Sequence, residues 1–243
     1  MAKLQNVTRA HLGLLLANLV WAVNYPFYKV LLPHYITPVA LATFAVTVAG
    51  LLGLVSLFWG GIEKIDRNDI YKFIGAALLM GIAKKLLLMI GMQHTSPIEA
   101  SIIATLGPIL VLVFSFFFGI DRFTPMKVFG MVLGMGGALL VILSGGGAVT
   151  SGEKLMGNLF VVGAIAASSF SMVWLKELIM RYKPVTLLRW IYPVAAVMML
   201  PIGLGPLLRT DFSAMPAHVA WIVAYVAVVP TFGPNSLFTA CTT

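Results

Sequence analysis

Long apolar runs separated by short polar turns cover almost the whole chain. Eight of them approach or exceed the length of about 20 residues that an α-helix needs to cross a bilayer. They extend over residues 11–31, 38–58, 71–92, 98–118, 125–143, 157–179, 185–204 and 219–240. The pattern predicts an all-α protein, a polytopic membrane bundle of about eight transmembrane helices, which we number as spans one to eight.

The composition supports a membrane protein. Hydrophobic residues make up 60% of the chain and charged residues only 10%, and the mean hydropathy is +1.00. Soluble domains carry far more charge than this. Cys241 is the single cysteine, which excludes an internal disulfide and gives no metal-site spacing. We therefore expect neither a metal nor a cofactor.

Lysine and arginine residues set the expected orientation. If the N-terminus is cytoplasmic, eleven of the sixteen lie at inner ends, and only Lys154 and Arg209 lie outside. The other three, Lys29, Lys84 and Lys85, fall within spans. This is the positive-inside pattern. The net charge of +8 thus follows from topology, so the expected partner is the lipid bilayer and not nucleic acid.

Polar and helix-disrupting residues in the first and eighth spans are candidates to line a cavity. In hydrocarbon a polar side chain needs a partner, and a proline leaves a backbone carbonyl free, so both belong against protein or water. The residues are Trp21, Asn24, Tyr25 and Pro26 in the first span and Pro230, Thr231, Pro234 and Asn235 in the eighth. We expect helix breaks at these prolines; plain packing and kinking is the alternative.

The fourth span carries a polar stripe. Its members recur at spacings of four, three, four and three residues, which places them on one helical face. They are Ser101, Thr105, Pro108, Leu112 and Ser115. A neighbouring strip of small residues allows another helix to approach closely. The stripe predicts a helix that lines an interior cavity.

The third span is chemically unusual because Lys84 and Lys85 lie near the middle of an apolar helix. Each costs about 2.5 to 3.5 kcal/mol at the bilayer centre, so something must solvate it. Lys84 shares a face with Gly81 and Gly91 and is expected to point inward. We hypothesise that Lys84 presents its charge to an anionic group of a substrate. The alternative is a structural lysine satisfied by carbonyls or water.

Glu99 opens the fourth span at its outer end, and Lys29 lies near the outer end of the first span. Their similar depth predicts a structural ion pair between them. A proton-coupling role for the Glu99 carboxylate is the alternative.

An internal repeat divides the chain. Residues 34–44 read HYITPVALATF and residues 181–190 read RYKPVTLLRW, which share Y-x-x-P-V-x-L-x-x-[FW] with one residue of slippage. The offset is five spans, an odd number, so the second copy is inverted in the membrane. We expect a first repeat at residues 1–147, a Gly- and Ser-rich linker at 148–156, and a partial second repeat at 157–243.

Several motifs together resemble the EamA-type proteins of the drug/metabolite transporter superfamily. They are W-[GA]-x-N-[FY]-x-x-x-K from Trp21 to Lys29, TSPxxASIIATLGPILV in the fourth span, the Gly-rich fifth span and PTFGPNSLF in the eighth. The resemblance implies a bacterial inner-membrane secondary transporter built from two inverted five-span repeats. Such proteins carry amino acids and other small metabolites by alternating access, with no enzymatic activity; proton or ion coupling stays open.

The resemblance implies ten spans, whereas the chain has eight. We therefore expect the last two to be missing and this chain not to transport alone. The alternatives are a heptahelical-type receptor or a small channel. Eight spans and lysines in the third argue against the receptor, and no charged ring or carbonyl-filter motif supports the channel. An intramembrane enzyme is disfavoured because all four histidines lie near span ends.

Overall fold

The structure, a computed structural model, describes the backbone of residues 2–58, 63–122, 124–144 and 151–242. Side chains are described over the same ranges except at residues 2–11, 13, 14, 17, 58, 141–144, 151 and 231–242.

Helices occupy nearly all of the described backbone. They are α1 Ala2–Leu31, α2 Pro38–Val55, α3 Ile70–Ala76, α4 Lys84–His94, α5 Pro97–Ala104, α6 Gly107–Phe117, α7 Pro125–Ser144, α8 Ser151–Trp174, α9 Lys176–Arg181, α10 Pro184–Leu208 and α11 Ala217–Thr242. A π-helical segment, Ala77–Ala83, joins α3 to α4 in the third span, and α5 and α6 form the fourth. Short 3-10 turns lie at Ser56–Phe58 and Arg67–Asp69. The predicted all-α bundle is confirmed.

Five of the described helical stretches are long and apolar enough to cross a membrane. They are Pro38–Val55, Arg67–His94, Pro97–Phe117, Gly152–Trp174 and Pro184–Leu208. Shorter apolar stretches within α7 and α11 cover Pro125–Leu140 and Ala217–Pro230. The chain is a multi-pass integral membrane protein.

Side-chain caps and prolines explain where several helices begin. The Thr37 hydroxyl accepts the Ala40 amide ahead of α2, and the Ser96 hydroxyl accepts the Glu99 amide ahead of α5. In both cases the next residue is a proline, which suits the first helical position because its missing N–H has no helical partner there. The local sequence Ser/Thr-Pro therefore fixes both starts.

Prolines inside the first, seventh and eighth spans do not interrupt the helices, whereas in the fourth span a turn at Thr105 and Leu106 separates α5 from α6 ahead of Pro108. α1 is continuous through Pro26, and α11 is continuous through Pro230 and Pro234. The predicted breaks are wrong. In a bilayer no water pairs with unwound backbone, so breaking a helix exposes more polar groups than the single bond that proline removes.

The predicted linker is shorter than expected. α8 begins at Ser151 and carries Glu153 in its first turn, where a negative charge complements the partial positive charge of the helix N-terminus. Residues 151–156 are therefore helical and not linker, while residues 145–150 lie outside those that the structure describes.

Four helix pairs make the most extensive contacts among the described residues. α2 packs along α10, α1 along α11, α4 along α8, and α6 also packs on α8. Small residues allow the close approaches: a Cβ on Gly50 would lie only 2.9 Å from the Cβ of Ala196. Since lipid is as apolar as a leucine side chain, such close backbone contact is a main source of helix association in membranes.

Candidate functional site

The first and eighth spans meet along a seam of polar aromatic contacts. The Trp21 indole N–H donates to the Pro230 carbonyl at 3.2 Å, and the Tyr225 hydroxyl donates to the Val20 carbonyl at 3.3 Å. The Tyr225 ring also packs edge-on against Phe27, with centroids 5.1 Å apart. The seam joins this part of α1 to the eighth span.

Asn24 carries an unsatisfied acceptor in this seam. Its side chain is only 4% exposed, and its Nδ2 donates to the Val20 carbonyl at 3.1 Å. Its Oδ1 is buried and has no hydrogen-bond partner among the described residues. An unpaired buried acceptor costs about 1 to 3 kcal/mol. The Asn24 Oδ1 is therefore an available acceptor, with half-buried Tyr25 next to it in the chain.

A tyrosine cluster extends the seam, and sequence reasoning missed it. Tyr28 is buried, and Tyr25, Tyr192 and Tyr225 are half-buried near it. These residues come from α1, α10 and α11, so three spans contribute phenols to one region of the bundle. Tyr192 and Tyr225, which lie well inside their apolar spans, were the available signal.

Lys84 lies two helical turns from Gly91 on α4, on the same face. A Cβ on Gly91 would meet Val161 of α8, and one on Gly81 would meet Ala195 of α10. The face that carries Lys84 is therefore turned toward protein. No hydrogen bond or ion pair of the described residues reaches Lys84 or Lys85. Lys84 also directly follows the π-helical segment, a feature frequent at functional sites.

In the polar stripe of the fourth span, the Ser101 and Thr105 hydroxyls are bonded within their own helix. Ser101, Thr105 and Pro108 are all exposed, and the two hydroxyls donate to their own helix, to Ile98 and Ile102 carbonyls at 2.7 and 2.6 Å. No hydrogen bond within the described ranges joins the stripe to α1 or to Lys84. Thr231 and Asn235 of the eighth span lie outside the side chains that the structure describes.

The predicted ion pair between Lys29 and Glu99 is wrong. Glu99 pairs instead with Lys154, at 2.6 Å from Oε1 to Nζ. Lys29 donates to the Met92 and Gln93 carbonyls at 3.4 and 3.1 Å. These carbonyls belong to the last turn of α4, where backbone acceptors lack helical partners and attract cations.

Glu99 belongs to a buried polar cluster at the outer end. Its Oε2 contacts the Thr95 hydroxyl at 3.1 Å and accepts from Asn158 Nδ2 at 3.4 Å. The Thr95 hydroxyl also contacts Asn158 Oδ1. Glu99 is 7% exposed and Asn158 fully buried. The cluster joins α5 to α8 with its polar groups mutually satisfied.

A denser network closes the opposite end, called the inner end because it is predicted to face the cytoplasm. Asp69 Oδ2 accepts from Arg181 at 2.7 Å and from the Tyr182 hydroxyl at 2.9 Å. The same hydroxyl accepts from the Asp66 amide at 3.0 Å. The connection between α2 and α3 is thereby bonded to the connection between α9 and α10.

Further pairs strengthen this inner network. Lys72 donates to Glu177 at 2.9 Å, and Thr186 donates to Glu63 at 2.5 Å. The hydrogen bond from Lys72 holds the pKa of Glu177 below its usual range. On α10, Arg189 donates to the Ser56 carbonyl at 2.6 Å. Polar bonds therefore span the inner end of the bundle.

At the outer end, the end of the bundle opposite the inner network, a cavity lies between the connections that correspond to those joined at the inner end. About 510 Å³ of space lies between the α1–α2 connection, with Tyr35 and Thr37, and the end of α10, with Arg209 and Asp211. The Asp211 carboxylate is bonded within its own turn, mainly by Ser213, which keeps its pKa low. The two connections are thus apart at the outer end and joined at the inner end.

No group of three or more metal-ligating side chains that could hold a metal lies within the described residues.

Comparison with known proteins identifies the family. The sequence profile of the EamA-like transporter family matches residues 8–143, more than half of the chain. The chain belongs to this family. Similar proteins include an uncharacterized transporter of Archaeoglobus fulgidus, 25% identical over 63% of this chain, and the uncharacterized transporter YvbV of Bacillus subtilis, 28% identical over 72%.

The alignments cover 53% and 56% of those two relatives, so the chain spans about half their length. A solved crystal structure shares the fold, with a TM-score of 0.51 at 18% sequence identity; the match covers 92% of this chain and 87% of that one.

Proposed function

We propose that this EamA-like protein is a secondary-active transporter of small metabolites that works by alternating access between two inverted repeats. Family membership supports transport in general. The helix packing supports the repeat. The five-span offset relates α1 to α8 and relates α4, in the third span, to α11. Accordingly α1 packs on α11, and α8 packs on α4. The contact of α2 with α11 likewise corresponds to the contact of α10 with the π-helical segment of the third span.

One contact supports the inverted repeat most directly. Gly50 lies against Ala196, 146 residues away. Pro38 and Pro184, which align in the sequence repeat, are separated by the same number of residues. A residue that touches its own repeat mate lies on the axis relating the two copies. Inverted repeats of this kind place substrate sites between them near the midplane.

The proposed substrate site combines an unpaired acceptor with an unpaired cation. Asn24 Oδ1 accepts from a donor group, and Lys84 binds a carboxylate or another anionic group, with Trp21 and Tyr25 as aromatic walls. This chemistry fits an amino acid or a related small anion. Ser101, Thr105 and Pro108, with Thr231 and Asn235, are proposed to complete the wall.

Proteoliposomes test the proposal. The 243-residue chain is reconstituted and given a mixture of the isotope-labelled protein amino acids, and accumulation is compared with that of protein-free vesicles. The same mixture is screened for ligand-induced thermal stabilisation in detergent. Stabilisation without accumulation is the result expected if two further spans are needed for transport. The absence of both stabilisation and accumulation contradicts the proposal.

A further inference from the structure

Two tyrosines at equivalent positions of the repeat have opposite environments. Tyr35 stands in HYITPV and Tyr182 in RYKPV. Tyr182 is 6% exposed and its hydroxyl is bonded to Asp69 and to the Asp66 amide. Tyr35 is 40% exposed, and no hydrogen bond within the described ranges reaches its hydroxyl. The same residue type is thus engaged at the inner end and free at the outer end.

The turns that face these tyrosines are also equivalent. Asp66 lies between the second and third spans, and its Oδ1 accepts the Asn68 amide at 3.1 Å. Asp211 lies between the seventh and eighth spans, and its Oδ1 accepts the Ser213 amide at 3.0 Å. Each aspartate therefore closes a turn on the amide two residues further on, in connections related by the five-span offset.

The two ends differ in whether the tyrosine touches the turn that faces it. At the inner end the Tyr182 hydroxyl touches the Asp66 turn directly, at 3.0 Å. At the outer end the cavity of about 510 Å³ separates Tyr35 from Asp211. If the two repeats exchange conformations, as alternating access requires, the outer gap closes when the inner one opens.

We propose that Tyr35 and the Asp211 turn form the outer gate, with the Tyr35 hydroxyl bonding this turn as the Tyr182 hydroxyl bonds the Asp66 turn. The gate rests on the alternating-access function proposed above. Its counterpart, the inner gate, is the set of bonds among Asp66, Asp69, Arg181 and Tyr182.

The two gates differ in charge. Beside Tyr182 stands Arg181, whose guanidinium pairs with Asp69, whereas His34 occupies the place beside Tyr35. The outer turn, between Arg209 and α11, supplies one carboxylate, Asp211. The inner turn supplies three, from Glu63, Asp66 and Asp69. Because the outer gate has fewer ionic contacts, the closed inner gate is the resting state.

Disulfide trapping tests this gate without any substrate. In a Cys241→Ser background, the pair Tyr35→Cys and Asp211→Cys is oxidised in membranes and the rate of cross-linking is measured. The inner gate is then weakened by Asp69→Asn and Tyr182→Phe. Loss of these hydrogen bonds is expected to raise the outer cross-linking rate about tenfold or more.

A matched control removes a carboxylate that does not join the two halves. Asp121→Asn breaks a pair with Lys127, 2.7 Å away, and must leave outer cross-linking unchanged. Maleimide labelling of Thr186→Cys reports inner opening, and thermal midpoints report folding. Unchanged outer cross-linking in the weakened, folded protein overturns the gate, whether or not inner labelling rises. The absence of both ligand-induced stabilisation and accumulation of amino acids would instead count against the transport function and leave the cross-linking result standing.

Discussion

Glu99 and Lys154 form an ion pair, 2.6 Å from carboxylate oxygen to ammonium nitrogen, between the fourth and sixth spans. The side chains are 9% and 16% exposed, and Thr95 and Asn158 satisfy the other carboxylate oxygen. The pair ties the two halves of the chain together at the outer end.

Lys154→Met is expected to destabilise the protein by about 3 kcal/mol, because it leaves the Glu99 carboxylate buried without its cation. The double variant with Glu99→Gln recovers most of the loss. Lys29→Met removes the residue that the sequence predicts as the partner of Glu99. This variant is expected to lose less stability, because only backbone carbonyls lose a hydrogen-bond donor. Thermal midpoints in detergent check the order; a larger loss for Lys29→Met contradicts it.

Tyr182→Phe is expected to cost about 1 to 3 kcal/mol, since it removes one hydrogen bond to a carboxylate and one from a backbone amide. The ring contact with Phe73, 5.6 Å between centroids, is kept, so the loss reports the hydroxyl. The matched Tyr35→Phe, at the exposed copy of the motif, is expected to leave the thermal midpoint unchanged. Equal losses for the two variants would show that the hydroxyl contacts do not matter.

Gly157→Ala is expected to destabilise the α4–α8 pair by about 1 to 3 kcal/mol through overpacking. A Cβ there would lie 2.9 Å from the His94 carbonyl carbon and 3.0 Å from the Gly91 oxygen. Gly136→Ala on α7 is the control, because no described residue lies within 4 Å of its Cβ position. Since alanine favours helix over glycine, this control is neutral or stabilising; a loss matching that of Gly157→Ala contradicts the packing account.

The Lys72–Glu177 pair gives a pH prediction. The hydrogen bond from Lys72 lowers the pKa of Glu177 relative to the unfolded chain, so the pair stabilises the fold above the unfolded value. That contribution is lost as pH falls through the folded pKa. The natural protein is therefore expected to have a higher thermal midpoint than Glu177→Gln. This difference is largest at pH 7 and disappears well below about pH 4. A difference that is constant over this range contradicts the assignment.

Helix positions could be predicted from the sequence because each depends on local information. Apolar length marks the spans, and Ser96-Pro97 and Thr37-Pro38 mark two of their starts. The continuity of α1 through Pro26 was missed because the cost of unwinding depends on the surrounding bilayer and not on the residue itself. The π-helical segment before Lys84 likewise has no signature in the pattern of apolar positions.

The candidate site could be predicted only in part. Depth along a helix follows from counting residues, so Lys84 and Asn24 could be placed in the middle of their spans. Lateral neighbours do not follow from counting, which is why Lys29 was chosen for Glu99 and Lys154 was missed. The positions of Tyr192 and Tyr225 near Tyr28 also depend on which helices pack together, so the sequence alone does not predict them.

The most direct test of the proposed substrate site is ligand binding by two neighbouring lysine variants. Thermal stabilisation by aspartate, glutamate and neutral amino acids is measured for the natural chain, Lys84→Met and Lys85→Met. Lys84→Met is predicted to weaken binding of every amino acid that stabilises the natural chain by about tenfold or more, because each carries a carboxylate. Lys85→Met, on a different face, is predicted to keep this binding. Unchanged affinity and ligand range in Lys84→Met would contradict the account.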